Sequence, residues 1–207
     1  MRSRPRTYGG RSTEERRADR RGRLIDAALA IWGDQGWAAV TMRGVCARAG
    51  LIDRYFYESF ADRDALLTAV WDQVRDETVT LIFAAIKDSG GGPLDRLRAA
   101  ITAFVRSVEA DPRRARVGFG EHAGSPVLEQ RRHDTLRVFT DLMVEAGRPH
   151  FRADVDEDAL RMSVLMGIGG FVELMTAWLA GTIPVDAERI IDHATTVGSE
   201  LALRHLR

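Results

Sequence analysis

Cysteine and lysine are almost absent from this chain of 207 residues. Cys46 is the single cysteine, so no disulfide can form within the chain, and we expect a reducing cytoplasm as its location. We expect the thiol to pack as a small apolar side chain rather than to act as a redox centre. Lys87 is the single lysine, so arginine supplies every other positive side chain.

Long apolar stretches and strand patterns are also missing. No apolar run reaches the roughly 18 residues that a membrane span needs, and the polar, Arg-rich N-terminus predicts no export signal. No segment alternates between apolar and polar residues over the length of a strand. Apolar residues recur instead every three to four positions, which predicts an all-α protein of about nine helices with no membrane partner.

The chain has no net charge, which taken alone argues against a nucleic-acid partner. The charges are unevenly distributed, however. Residues 1–60 hold 12 arginines and 7 acidic residues, whereas residues 61–207 hold 18 basic and 23 acidic residues. A basic head on an acidic body is typical of a DNA-binding protein. Ordinary surfaces can show the same imbalance, so it supports DNA binding only alongside a motif.

Residues 41–67 provide that motif, with the sequence TMRGVCARAGLIDRYFYESFADRDALL. The apolar spacing predicts two short helices and the start of a longer one, and Gly50 allows the chain to reverse between the first two. Arg54, Tyr55 and Tyr57 fall on the exposed side of the second helix. A buried scaffold that presents Arg and Tyr on a short helix is what reading a DNA groove requires. The segment is therefore predicted to be a helix-turn-helix.

This stretch resembles the DNA-binding domain of the TetR family of bacterial regulators, and the resemblance covers roughly residues 18–78. It implies a three-helix DNA-binding head, followed at residues 79–207 by a larger helical body that binds a ligand and forms a homodimer. The expected function is that of a repressor that binds a pseudo-palindromic operator and is released by a small-molecule effector. No enzymatic activity, metal or cofactor is expected, and the protein would be associated with the nucleoid when bound to DNA. The resemblance is carried by Leu24 to Ala28, Gly36-Trp37, Thr41, Arg43, Ala49-Gly50, Tyr57, Phe60 and Leu66-Leu67.

The resemblance also implies which side chains touch DNA. Tyr57 would contact a backbone phosphate, and Arg54 could pair with guanine O6 and N7, the commonest specific contact. Ile52 stands where family members often carry a capping serine, so we expect the cap to move to Asp53, which could otherwise accept from cytosine N4. Arg63 lies at a helix start that would attract phosphate. The predicted DNA-binding residues are Thr41, Arg43, Asp53, Arg54, Tyr55, Tyr57 and Arg63.

Residues 1–17, rich in Arg, Gly, Ser and Pro, are predicted to form a disordered basic arm. The arm could follow phosphates or enter a minor groove, or it could be a solvated tail. The first helix is expected from Ala18 to Asp34. Later helices are expected from Arg63 to Lys87, Pro93 to Ala110, Val127 to Ala146, Asp156 to Ala180 and Asp186 to Leu206, with residues 111–126 irregular.

The body is expected to supply a ligand pocket and a dimer interface. Glycines inside the helix 156–180 cost about 1 kcal/mol each relative to alanine, which suggests close approach of another helix. The predicted interface is Met166, Gly167, Gly170, Phe171, Met175, Trp178, Ile190, Ala194, Val197 and Leu201. The aromatic, soft or polar residues that could line a pocket are Trp71, Phe83, Phe104, Phe119, His122, Phe139, Met143 and Glu173.

Two other functions remain open on the sequence alone. An all-helical carboxylate-metal enzyme would need inward Glu-x-x-His pairs on two helices. Glu129 and His133 are four positions apart and have no second copy, and the pair Glu121–His122 supplies only two donors. A sequence-nonspecific architectural DNA-binding protein would show the same basic head but no operator preference.

Overall fold

The computed structural model describes residues 12–120 and 122–206, and the regular elements in this part are helices. The nine α-helices are α1 (Thr13–Gln35), α2 (Met42–Ala49), α3 (Asp53–Tyr57), α4 (Arg63–Asp88), α5 (Pro93–Ala110), α6 (Pro112–Phe119), α7 (Pro126–Gly147), α8 (Glu157–Leu179) and α9 (Ala187–Leu203). Two short 3-10 turns, Trp37–Ala39 and Arg148–His150, follow α1 and α7. The predicted all-α fold of about nine helices is confirmed.

Helix α1 begins earlier than the sequence pattern suggested. The Ser12 hydroxyl accepts from the Glu15 backbone N–H at 3.0 Å, and the Glu15 carboxylate accepts from the Ser12 N–H at 2.5 Å. This reciprocal pair satisfies two amides that a helix end leaves free, so the helix starts at Thr13. The predicted disordered arm is therefore wrong for residues 12–17. Its remainder, including Arg2, Arg4, Arg6 and Arg11, lies outside the described residues.

The segment 111–126 was expected to be irregular, but most of its first half is helix α6. Asp111 caps this helix by accepting from the Arg113 N–H at 3.3 Å, and Pro112 occupies the first helical position. Proline suits that position because its missing N–H would have no partner there and its backbone angle is already helical. The Asp-Pro pair is thus a helix start rather than a loop.

Two hydrophobic cores organise the chain, and α6 contributes to both. The head core contains the buried faces of α1 to α4 and extends to Val117 of α6 and Leu128 of α7. The body core joins α5, α8 and α9 around Phe104, Met175 and Ile190, and it includes Ala115 of α6. Ala115 and Val117 are both almost fully buried. The eight-residue helix α6 therefore fastens the head to the body.

Helix α8 is apolar along most of its length, yet the rest of the chain covers little of it. By length and composition it is the one described helix that would suit a membrane span, and only 6% of its most apolar 18-residue window is buried. Met162, Leu165 and Met166 are 59%, 45% and 71% exposed. Val197 and Leu203 of α9 are also exposed. This uncovered apolar surface is called the α8–α9 face below.

Candidate nucleic-acid interface

Helices α2 and α3 form a helix-turn-helix whose inner side is buried. The Thr41 hydroxyl caps α2 by accepting from the Gly44 N–H at 3.1 Å. Gly50 ends α2 with a left-handed backbone (φ 63°), a conformation that costs glycine little, and its N–H bonds to the carbonyls of α2. Val45 and Phe56 are almost fully buried, so the two helices are fixed against α1 and α4. The Thr41 hydroxyl already serves the fold, and its contact with DNA stays a prediction.

The opposite side of α3 faces solvent and carries most of the predicted DNA-binding residues. Tyr57 is 62% exposed, and the Arg54 side chain is 78% exposed. Arg43, at the start of α2, is also exposed. Tyr55 is half-buried because the Arg20 guanidinium stacks over its ring at 4.4 Å. Arg43, Arg54 and Tyr57 are therefore all accessible on the surface of the helix-turn-helix.

The expected cap at Asp53 is wrong. Ile52 occupies the N-cap position of α3 without any side-chain hydrogen bond, and Asp53 is the first helical residue. A carboxylate in the first turn still interacts favourably with the positive end of the helix. Ile52 is 63% exposed, an apolar side chain directly before α3. An apolar group there could contact a thymine methyl, a form of base recognition that needs no hydrogen bond.

Arg63 does not point to the surface where phosphate contact was expected. Its Nε donates to the Val40 carbonyl and its Nη2 to the Trp37 carbonyl, both at 2.6 Å. The guanidinium also lies 5.1 Å from the centre of the Trp37 ring. These contacts use the charged group to hold the loop before α2 against α4. Arg63 is a structural residue of the head in this arrangement.

Arginines of α1 have a role that sequence reasoning missed. Arg17 donates to the Glu58 carbonyl at 2.6 Å, and Arg21 donates to the Ser59 carbonyl at 3.4 Å. Arg23 donates to the Ala49 carbonyl at 2.5 Å. These oxygens lie at the C-terminal ends of α3 and α2, where backbone carbonyls lack partners within the helix. The basic cluster of α1 thus holds α3, the recognition helix of the motif. These hydrogen bonds join residues 26 to 41 positions apart, so only the folded chain reveals them.

Cys46 lies in the head core and is almost fully buried. Burial raises the pKa of this thiol, and the nearby Asp53 carboxylate acts in the same direction. A protonated, inaccessible thiol is a poor nucleophile and a poor target for oxidants. The geometry therefore supports the expected packing role.

The predicted ligand-pocket residues do not converge on one cavity. Trp71 lies in the head core, where its indole N–H donates to Thr135 Oγ1 at 3.0 Å. The ring centres of Trp71 and His122 are 4.9 Å apart. Phe104 packs edge-on against Phe119 and Phe171 in the body core. Phe83, Met143 and Glu173 are exposed, and Phe139 is half-buried. A groove of about 620 Å³ lies between the end of α4 and α5, lined by Ala85, Ser89, Gly90, Gly91, Asp95, Arg98, Ala99, Thr102 and Ala103, none of which was predicted.

His122 is buried where the head meets the body. It is 5% exposed, between Trp71 and Trp32, and neither ring nitrogen makes a hydrogen bond within the described residues. Burial lowers the pKa of this imidazole, as does the charge of Arg132, whereas the Val117 carbonyl acts in the opposite direction. The group is therefore neutral at neutral pH.

Acidification should destabilise the protein through His122. An unfolded histidine takes up a proton near its ordinary pKa of about 6.5, but the buried imidazole resists protonation until lower pH. The unfolded state then binds more protons, so the stability present above pH 6.5 is lost as the pH falls. Urea unfolding at pH 7.5 and 5.5 should show this loss, and His122→Leu should reduce it. His133→Gln, at an exposed position, is the control, and an unaltered pH dependence in His122→Leu would contradict the assignment.

The predicted dimer residues divide into two groups. Met175 and Ile190 are almost fully buried in the body core, and Phe171, Trp178 and Ala194 pack against it. The assignment of Met175 and Ile190 to an intermolecular interface is wrong, because both side chains are buried within their own chain. Phe171, Trp178 and Ala194 are only half-buried, and their contact with a partner stays a prediction. The more open positions are Met166, Gly167, Gly170, Val197 and Leu201, among which Gly167 lies against Leu201. A methyl group at Gly170 would meet nothing within 4 Å, so no close helix approach within the chain explains that glycine.

The alternative metal site finds no support in the described geometry. Among residues 12–120 and 122–206, no group of three or more His, Cys, Asp or Glu side chains could hold a metal ion. Glu121 lies outside these residues. Glu129 and His133 are both exposed on α7 rather than directed into the helical bundle.

Known proteins share both the motif and the fold. The family profile described as bacterial regulatory proteins, tetR family, matches residues 24–70, which include all of α2 and α3. The HTH-type transcriptional activator FasR of Mycolicibacterium smegmatis is 27% identical over 178 residues, 85% of this chain and 80% of the relative. The HTH-type transcriptional repressor KstR2 of Mycobacterium tuberculosis is 26% identical over 151 residues, 67% of this chain and 72% of the relative.

Solved structures extend the similarity to the body. The transcriptional regulator FadR from Bacillus subtilis, solved in complex with stearoyl-CoA, has a TM-score of 0.70 at 18% identity, covering 87% of this chain and 97% of that one. Identity at this level shows the fold alone. The head combines the family profile with an exposed recognition helix, and both curated relatives are transcriptional regulators. Residues 24–70 of this chain therefore form a DNA-binding domain of the tetR family of bacterial regulatory proteins.

Proposed function

We propose that the protein is a homodimeric repressor that binds a pseudo-palindromic operator and is released by a small-molecule effector. The observation that carries this proposal is the two-sided construction of α3. Phe56 is buried on one side, while Arg54 and Tyr57 are exposed on the other, on a helix of only five residues. An isolated helix of this length would not be stable, so its position is set entirely by the head that presents it.

The exposed side chains divide into base-reading and phosphate-binding groups. The Arg54 guanidinium can donate two parallel hydrogen bonds to guanine in the major groove. The Tyr57 hydroxyl and the Arg43 guanidinium suit phosphate oxygens, which fix the register of the protein but carry no sequence information. One such helix reads only a few base pairs. Two copies joined by the body would read two half-sites related by a two-fold axis.

The α8–α9 face supports the homodimer. Uncovered apolar patches of this kind mark interaction sites on soluble proteins. A second copy of the chain offers a matching apolar surface, and a two-fold contact uses the same patch on both partners. The open space at Gly170 leaves room for a partner helix to approach closely.

The effector is proposed to bind among the middle helices of the body. The FadR structure contains stearoyl-CoA, so long-chain acyl-CoA is the first class of compound to test. The aromatic cluster Phe104, Phe119 and Phe171 gives the body core an apolar interior suited to an acyl chain. Because α6 joins this core to the head, a rearrangement around the cluster would be transmitted to α1 and α4. An effector acts through such a change only if it binds one arrangement more tightly.

Footprinting on the DNA that flanks the gene of this protein tests the proposal most directly. We expect a protected palindrome and an affinity that falls steeply with salt, with a slope of about −0.9 in log K against log salt for each phosphate neutralised. Protection that overlaps a promoter would support repression. Protection upstream of the promoter would indicate activation, which is the role that the relative FasR is named for. Salt-insensitive binding would refute DNA recognition, and binding without a preferred site would indicate an architectural protein.

Arg54→Ala should weaken operator binding by about 1–3 kcal/mol and relax the preference at one base pair in each half-site. Tyr57→Phe should weaken binding to every sequence to the same degree, because a phosphate contact is blind to sequence. Gel-shift titrations with the operator and with operators changed at single base pairs measure both effects. If Arg54→Ala lowered affinity for all sequences equally, the side chain would be a phosphate contact instead.

A further inference from the structure

Arg54 is exposed but already anchored by a carboxylate. Its Nε donates to Glu58 Oε1 at 2.9 Å, one turn further along the chain. The Glu58 side chain is 33% exposed, against 78% for Arg54, so the anchor is the more buried partner. The other carboxylate oxygen, Oε2, lies 3.6 Å from the Arg20 guanidinium of α1. Glu58 is thus shared between the recognition helix and the helix that supports it.

The backbone at Glu58 is fixed independently. Its carbonyl accepts from Arg17 at 2.6 Å, and its N–H bonds to the carbonyl of Arg54 at 3.0 Å. Arg20 also stacks on the Tyr55 ring of the same helix. Two arginines of α1 therefore hold Glu58 from outside α3. The five-residue helix does not have to orient the carboxylate alone.

The geometry of the anchor leaves the reading end of Arg54 free. A guanidinium has five N–H donors in a rigid plane, and the bond to Glu58 occupies the one at Nε. The four donors on Nη1 and Nη2 have no partner within the described residues, and these two nitrogens can address guanine O6 and N7 together. A carboxylate on Nε also fixes the plane of the group. The hydrogen bond to Glu58 thus orients the side chain before DNA arrives.

We propose that Glu58, supported by Arg20, is a positioning residue that sets the sequence specificity of Arg54. This inference rests on the proposed DNA-reading function of α3. Ordering a long, flexible side chain on binding lowers affinity, and a side chain fixed beforehand avoids that loss. Glu58 also places a negative charge near the DNA, and this charge disfavours complexes in which Arg54 does not bond to its base. Both effects favour the correct base pair over other DNA.

Glu58→Ala should lower the discrimination at the Arg54 base pair by about 2- to 10-fold, the scale expected for ordering one side chain. Affinity for nonspecific DNA should be unchanged or higher, because a negative charge has been removed. Glu58→Gln should retain most of the discrimination, since its amide oxygen can still accept from Nε. Asp26→Asn, at an exposed position of α1, is the control for the charge change.

The experiment measures affinities for the operator, for an operator changed at that base pair, and for nonspecific DNA, in the wild type, Arg54→Ala, Glu58→Ala and the double variant. We expect Glu58→Ala to have no further effect on discrimination in the Arg54→Ala background. A Glu58→Ala protein that keeps full discrimination, or weakens on all DNA equally, would overturn the inference. If Arg54→Ala itself left discrimination intact, the base-reading role proposed for Arg54 would fail instead.

Discussion

Met166→Glu should convert the protein into a folded monomer that has lost tight operator binding. Met166 is 71% exposed, so the substitution removes almost no contact within the chain. In a two-fold dimer the same change would bury a carboxylate on each side of an apolar interface, where an unpaired charge is strongly unfavourable. Losing the linkage between two heads should lower operator affinity by about 10²–10⁴-fold.

Sedimentation velocity and gel-shift titration measure the two consequences separately. Phe83→Glu, at a 45% exposed position of α4, is a control that should leave the dimer intact. Gly170→Leu is a second test, because a Cβ there would meet nothing within 4 Å in the chain, so we expect the substitution to disturb mainly a partner. A wild-type monomer that binds the full palindrome tightly would refute the dimer. A monomer that binds lipid vesicles through α8 would assign this face to a membrane.

Gly33→Ala should destabilise the protein, although alanine is the better helix former. A methyl group at Gly33 would overlap the Cβ of Arg113 and would lie only 2.8 Å from its Cγ and 3.0 Å from its backbone Cα. Helix α6 would have to move away from α1, and overpacking of this kind costs about 1–3 kcal/mol. Alanine gains about 1 kcal/mol over glycine in helix propensity. This gain is smaller than an overpacking cost in the upper part of that range. The Gly33 carbonyl also accepts from Arg116 at 2.6 Å, so the movement would disturb a second contact.

Gly22→Ala provides a matched control on the same helix. A methyl group at Gly22 would meet nothing within 4 Å, so this substitution should stabilise the protein by about 0.5–1 kcal/mol. Thermal unfolding should then shift in opposite directions for the two variants, by about 2–4 °C for each kcal/mol in a chain of this size. Equal melting temperatures for Gly33→Ala and Gly22→Ala would show that α6 is free to adjust against α1.

The helix-turn-helix could be predicted from the sequence because its determinants are local. The cap at Thr41, the left-handed turn at Gly50 and the buried Phe56 lie within 16 positions of one another. The same reasoning placed Arg54 and Tyr57 on the exposed side. Asp53 was misassigned as a cap by only one position, which is the usual uncertainty at a helix end.

Arginine directions could not be predicted in the same way. Arg63, Arg17 and Arg21 bond to backbone carbonyls more than 20 positions away, and nothing in the neighbouring sequence distinguishes them from surface arginines. A long side chain can reach several groups, and tertiary packing selects among them. The hydrogen bonds by which these arginines hold the head together are therefore visible only in the folded structure.

The division of α8 was also beyond sequence reasoning. Apolar residues occur all around this helix, so the pattern predicts burial but does not say whether its own chain or a partner covers each side. Met175 faces the body core of its own chain, while Met166 faces outward. The packing of α6, α7 and α9 against α8 decides which stripe remains open.

Helix α6 restricts how such a head could be recombined with other bodies. Val117 completes a core otherwise built mainly from α1 to α4, and Leu128 of α7 does the same. A gene fusion that ended this head at the middle of α4 would also remove His122, whose ring packs against both Trp32 and Trp71. Functional chimeras should therefore carry α6 and the start of α7 together with the head. Exchange of DNA specificity between such proteins would then proceed more easily by substitutions on α3 than by swapping whole domains.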